Sequence, residues 1–176
     1  MNNENVNKPI QYEVILVLRI LLLLATLGMG LASLWMFKGG LTFESSYSLI
    51  YIFIGIIGVI WGFTTFLMCF PAFTRKGKVL FTITQGENGQ LISRKRTVYL
   101  RDIKDIKLDH YLLPPSGLIF QDLMIRTYQN KLIRIPTYNL LFDDVLKYYV
   151  ENYMLSYMTE EAQQIWKKRF DKTTIA

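Results

Sequence analysis

The chain has 176 residues, 51% of them apolar, with a mean hydropathy of only +0.22 and a net charge of +6. That length admits one membrane hairpin and one small domain of about 100 residues. The single cysteine, Cys69, excludes an internal disulfide and a multi-cysteine metal site.

The apolar residues are concentrated near the N-terminus. No residue from Ile20 to Phe37 is charged, and none from Ser45 to Phe73. Val14 to Phe37 and Tyr47 to Phe70 are each 24 residues long. At about 1.5 Å per residue a helix of that length reaches about 36 Å, enough to cross a hydrocarbon core of about 30 Å. Residues 1–73 therefore read as a short N-terminal segment followed by a two-helix transmembrane hairpin. Residues 74–176 read as a cytoplasmic domain. The first apolar run is longer than a signal-peptide core and lacks a strongly basic preceding segment, so it is expected to be retained. Arg19 lies near the start of the first span, where its long stem is expected to carry the guanidinium to the headgroups.

Orientation follows from the flanks. The connector Lys38 to Ser46 holds one Lys and one Glu, whereas Arg75, Lys76 and Lys78 follow the second span at once. The positive-inside rule puts that side, and with two spans the N-terminus as well, in the cytoplasm of a bacterial plasma membrane protein. Trp35, Phe37 and Phe43 suit an aromatic belt at the outer face. Gly28 and Ala32, and Gly55, Gly58 and Gly62, give rows of small residues that let helices approach closely. They suit packing within the hairpin or, in a sharper reading, a homodimer.

Beyond Pro71 the pattern changes to short alternating runs. Val79 to Thr84, Gln90 to Ser93, Thr97 to Leu100, Ile103 to about Leu112, Leu118 to Phe120, Leu123 to Tyr128 and Lys131 to Ile135 read as strands. Turn signals at Gly86 to Gly89, Pro114 to Gly117 and Gln129-Asn130 separate several of them. Leu140, Leu141, Val145, Leu146, Tyr149, Val150 and Tyr153 then recur at helical spacing, with Asn139 or Asp143 as candidate cap. A short extra helix is expected from Thr159, with Glu160 and Glu161 in its first turn and Lys167, Lys168 and Arg169 in its last.

The strand order, the stretch Val98-Tyr99-Leu100-Arg101-Asp102-Ile103-Lys104-Asp105-Ile106 and the Ile133-x-Ile135 strand before a helix carry a resemblance. From about Lys78 to Tyr153 the chain resembles the bacterial pleckstrin-homology-like domains that follow a pair of membrane spans. The arrangement is also similar to small uncharacterised two-span membrane proteins of Bacillus-type bacteria. The resemblance implies an α+β fold. A bent antiparallel sheet or barrel would follow the hairpin, with a C-terminal packing helix over its apolar face.

No catalytic set emerges. His110 is the one histidine, and the adjacent Asp109 points to the opposite face of a strand. Asp143 and Asp144 diverge on a helix and suit its first turn. No phosphate loop or metal motif is present, so neither a cofactor nor a metal is expected. From Thr74 onward 17 Lys and Arg face 11 Asp and Glu, so the whole positive excess lies there. Arg94, Lys95, Arg96 and Arg101, with Arg75, Lys76 and Lys78, form the candidate surface for anionic lipid or a protein partner. Interleaved acids at Asp102, Asp105 and Asp109 argue against nucleic acid. The expected function is a non-enzymatic membrane-anchored adaptor or scaffold. An immunity or accessory protein of a bacterial secretion or toxin system is the alternative.

Overall fold

The computed structural model describes residues 8–94, 96–111 and 119–171. The chain forms two compact units: Ile15–Lys78 is one, and the segments on either side of it together make the other.

Two helices, α1 (Leu16–Gly40) and α2 (Ser48–Phe73), fill the first unit, and both are long and apolar enough to cross a membrane. Trp35, Leu49, Phe53, Ile60 and Leu67 stand exposed along them, as a lipid-facing surface would. The helices pack through their smallest residues. A Cβ added at Gly62 would lie 2.5 Å from the Gly30 amide nitrogen, and one at Gly55 would lie 2.7 Å from Phe37 Cβ. One at Gly58 would collide with Ser33 Oγ. On α1 the buried positions are Thr26, Gly30, Ser33 and Gly40. Gly28 and Ala32 are not among them: a Cβ at Gly28 meets open space and Ala32 is exposed. Helical spacing fits either row, but only the Thr26–Gly30–Ser33 row buries hydroxyls against the other helix, which is the physical reason it wins. Thr26 lies in a π-helical stretch, Leu24–Gly28, and its Oγ1 donates to Leu22 O at 2.8 Å. Such back-bonding often accompanies a bend in a helix.

The second unit begins before the hairpin. Strand β1 (Ile10–Glu13) pairs antiparallel with β2 (Val79–Thr84), Tyr12 lying opposite Phe81 and Glu13 opposite Val79. Residues 10–13 therefore belong to the β-rich head, not to a free N-terminal segment, and Val14 is buried with them. β3 (Gln90–Ser93) and β4 (Arg96–Tyr99) complete a sheet of order β1-β2-β3-β4. β5 (Ile103–His110), β6 (Gln121–Thr127) and β7 (Leu132–Pro136) make a second, all-antiparallel sheet. Among the described residues the two sheets do not join into a closed barrel. The expected turn at Pro114 to Gly117 lies outside the described residues, and Phe120 precedes β6 rather than standing in a strand.

Alternation drives the core. Leu80, Phe81, Ile83, Leu91, Val98, Ile103, Ile106, Leu123, Ile125, Ile133 and Ile135 are buried, with Leu146 and Val150 of helix α3 (Asp143–Tyr153). Each large apolar side chain so buried contributes about 1.5–3 kcal/mol. α3 has no side-chain cap: Phe142 occupies the cap position. Asn139 is committed elsewhere, its Oδ1 accepting the Gln121 N–H at 2.7 Å. Helix α4 (Glu160–Asp171) follows, with Thr159 Oγ1 accepting the Ala162 N–H at 3.4 Å. Its Ala162 and Trp166 are buried, and Arg169 reaches β5, donating to Ile106 O and Asp105.

Candidate functional site

The turn joining β3 to β4 is basic. Ser93 pairs with Arg96, so only two positions, the first of them Arg94, separate the paired ends of the strands. Two-residue loops favour residues with positive φ, usually Asn-Gly. Arg94 adopts φ 47°, a conformation that costs a non-glycine residue about 1–2 kcal/mol. Its guanidinium lies 5.9 Å from the centroid of the Tyr138 ring and 3.5 Å from Tyr138 Oη, which steadies the side chain. Lys95 lies outside the described residues. Arg96 is exposed.

Register places this turn at one end of the sheet. Ser93 Oγ donates to Leu80 O at 2.5 Å, and Thr82 lies opposite Ile92. The turn is therefore at the end of the sheet where β2 begins and β1 finishes, since Glu13 pairs with Val79. Arg101 is not brought to the turn. It sits in the 3-10 turn Leu100–Asp102, with its guanidinium 5.4 Å from the Tyr99 ring centroid. The length of β4, about 10 Å, separates it from Arg96.

In the helical unit, Arg75, Lys76 and Lys78 are exposed around the 3-10 turn Arg75–Gly77. Thr74 shapes that turn: its Oγ1 donates to Pro71 O at 2.9 Å and accepts the Gly77 N–H at 3.2 Å. Gly77 has no room for a side chain, because a Cβ there would strike Pro71 O.

Four other bases of the head are ion-paired. Arg134 pairs with Asp122, Arg169 with Asp105, Lys107 with Asp109, and Lys104 with Glu161 at 3.3 Å. No ion pair among the described residues involves Arg75, Lys76, Arg96 or Arg101, so these are among the cations free to meet an external anion. Sequence reasoning missed Tyr138, which holds Arg94 from 44 residues away.

The acids and the histidine weighed for catalysis fall on β5 and α3. His110 is exposed at the end of β5, and its N–H donates to Asp109 Oδ1 at 2.8 Å. The hydrogen bond from Lys107, opposed by partial burial, holds the Asp109 carboxyl below its ordinary value. Asp143 and Asp144 are exposed in the first turn of α3. Among the described residues no three His, Cys, Asp or Glu side chains converge on a metal position.

No solved structure matches the chain. Two proteins of Bacillus subtilis (strain 168) are similar to it. An uncharacterized protein, YfjE, is 39% identical over 130 residues, covering 74% of this chain and 86% of the relative. An uncharacterized lipoprotein, YfjD, is 37% identical over 153 residues, covering 87% of this chain and 83% of the relative. A family model of unknown function, DUF5381, matches residues 8–176, from just before β1 through both apolar helices and the whole head, and the chain belongs to that family.

Proposed function

We propose that this chain is a non-enzymatic membrane-anchored adaptor. α1 and α2 cross a bacterial plasma membrane, and both chain ends lie in the cytoplasm. The head is pleckstrin-homology-like, and its basic surface meets anionic headgroups of the inner leaflet or a protein partner. The observation that carries this reading is one of register. The Arg94–Arg96 turn lies at the end of the sheet where β1 runs out toward α1 and β2 comes in from α2. The chain enters and leaves the two helices from that same end of the sheet, which is why Arg96 of this turn is assigned to the lipid surface. Each Lys or Arg near an anionic leaflet contributes about 1 kcal/mol.

Several features support the finer parts. β1 precedes the first apolar helix and β2 follows the second, yet the two are sheet neighbours. A chain that crosses once with each helix must then return to its starting side. The bases Arg75, Lys76 and Lys78 favour the cytoplasm as that side. Four antiparallel strands, then three, then α3 fit a pleckstrin-homology-like plan. The name lipoprotein, carried by one relative, agrees with membrane attachment.

Full-length protein in nanodiscs tests the lipid arm. Amide exchange across residues 90–99 is expected to slow in discs containing phosphatidylglycerol relative to pure phosphatidylcholine. Arg94→Glu combined with Arg96→Glu should erase that difference. Equal exchange in both discs rejects lipid binding. Labelling of a cysteine introduced at Thr97 by an impermeant reagent on intact cells rejects the topology.

A further inference from the structure

β4 is an edge strand, and its ladder geometry identifies which backbone groups are unused. Ser93 and Arg96 close the two-residue turn, and the Leu100 N–H donates to Gly89 O at 2.9 Å. With those two points fixed, antiparallel alternation makes Ser93–Arg96, Leu91–Val98 and Gly89–Leu100 the hydrogen-bonded pairs. Ile92–Thr97 and Gln90–Tyr99 are the non-bonded ones. The N–H and C=O of Thr97 and Tyr99 therefore point away from β3, and among the described residues no strand takes them up. The edge of β5 is treated differently, because Arg169 of α4 donates to Ile106 O there.

The strand itself carries charge of one sign, Asp102 lying beyond it in the turn that follows. Arg96 and Arg101 flank the edge, both exposed, and Tyr99, 40% exposed, lies between them with Arg101 against its ring. Neither β4 nor the neighbouring β3 carries an acidic residue. We infer that the open edge of β4 is a strand-addition site for an acidic, extended segment of a partner protein. Backbone groups of Thr97 and Tyr99 supply the directional bonds, and Arg96 and Arg101 select the charge. A second copy of the chain is a poor occupant. Antiparallel β4–β4 pairing would set the arginines of one copy against those of the other. This deepens the partner arm of the adaptor reading and stands if the lipid arm fails.

The test uses full-length protein in phosphatidylcholine nanodiscs. The probes are a short peptide alternating Glu and Val, its Lys–Val counterpart, and the Glu–Val peptide with alternate amides N-methylated. The Glu–Val peptide is expected to bind and to slow amide exchange at Thr97 and Tyr99, while the other two do not bind. Thr97→Pro removes an outward N–H without taking a bond from the β3–β4 ladder. It should weaken binding about tenfold, with the amide spectrum of β2 and β3 as the check on folding. Arg101→Glu, which leaves the strand backbone alone, should also weaken binding of the acidic peptide. Equal binding of the Glu–Val and Lys–Val peptides overturns the inference. So does unchanged exchange at Thr97 and Tyr99, undiminished affinity in both variants, or no binding of the acidic peptide at millimolar concentration.

Discussion

The guanidinium of Arg19 donates to the backbone carbonyl of Phe73 at 2.8 Å, and to those of Ala72 and Thr74 at 3.1 Å each. The last carbonyls of a helix have no amide within the helix to accept from. α2 ends at Phe73, so a cation from α1 supplies the missing donors and faces the negative end of the helix dipole. Arg19 was expected to stretch toward headgroups; its head also meets the end of the partner helix. Arg19→Ala is predicted to lower stability by about 2 kcal/mol. Arg19→Lys, which keeps the charge but loses the planar fork, should cost about half as much. Thermal unfolding of the detergent-solubilised protein measures both, and an unchanged midpoint in Arg19→Ala would show that the contacts contribute nothing.

Tyr12 ties β1 into the head. It is buried, stacks on Phe81 with ring centroids 5.5 Å apart, meets Tyr149 edge-on at 5.4 Å, and donates its hydroxyl to Leu140 O at 2.8 Å. Tyr12→Ala should destabilise the head by about 3 kcal/mol through the cavity it leaves. Tyr12→Phe, which loses one hydrogen bond, should cost about 1 kcal/mol. A fragment of residues 75–176 lacks β1 and should fold poorly. Joining residues 8–14 ahead of it through a Gly-Ser linker is expected to restore cooperative unfolding by circular dichroism.

Legibility tracked how local each signal was. β2, β3, β5 and β7 were readable because alternation and turn residues lie within a few positions of each other. β1 was not readable. Ile10-Gln11-Tyr12-Glu13 is only four residues long and its partner begins at Val79, beyond both apolar helices. The helix cap was misplaced because Asn139, with φ 57°, spends its side chain on Gln121. The basic cluster was half readable. Arg94 and Arg96 share one turn by chain adjacency, whereas only the sheet register reveals that Arg101 lies at the opposite end of β4.

The glycine row of α2 was legible, but its counterpart on α1 was not, and that contrast can be tested. Gly62→Ala would place its Cβ 2.5 Å from the Gly30 nitrogen, where only backbone can give way. Overpacking of this kind costs about 1–3 kcal/mol. Gly28→Ala meets nothing within 4 Å and should be neutral or slightly stabilising. The pair of melting curves decides between them. Equal loss in both variants would mean that Gly28 also stands at a helix interface, as in a dimer.

Two carboxylates opposite each other in the second sheet, Asp109 and Asp122, are displaced in opposite directions. Asp122 is almost fully buried, and desolvation raises its pKa above the ordinary 3.8 despite hydrogen bonds from Arg134 and the Thr137 N–H. A raised carboxyl holds its proton in the folded state at pH values where the unfolded chain has released it. Its stabilising contribution is therefore complete below about pH 3.8 and is lost as pH rises through the folded value. Asp122→Asn removes that titration. The melting temperature of the wild type minus that of Asp122→Asn should fall as pH rises from about 3.5 toward neutrality, and then level off. A difference that rises with pH across that range would mean that Arg134 outweighs burial and depresses the carboxyl instead.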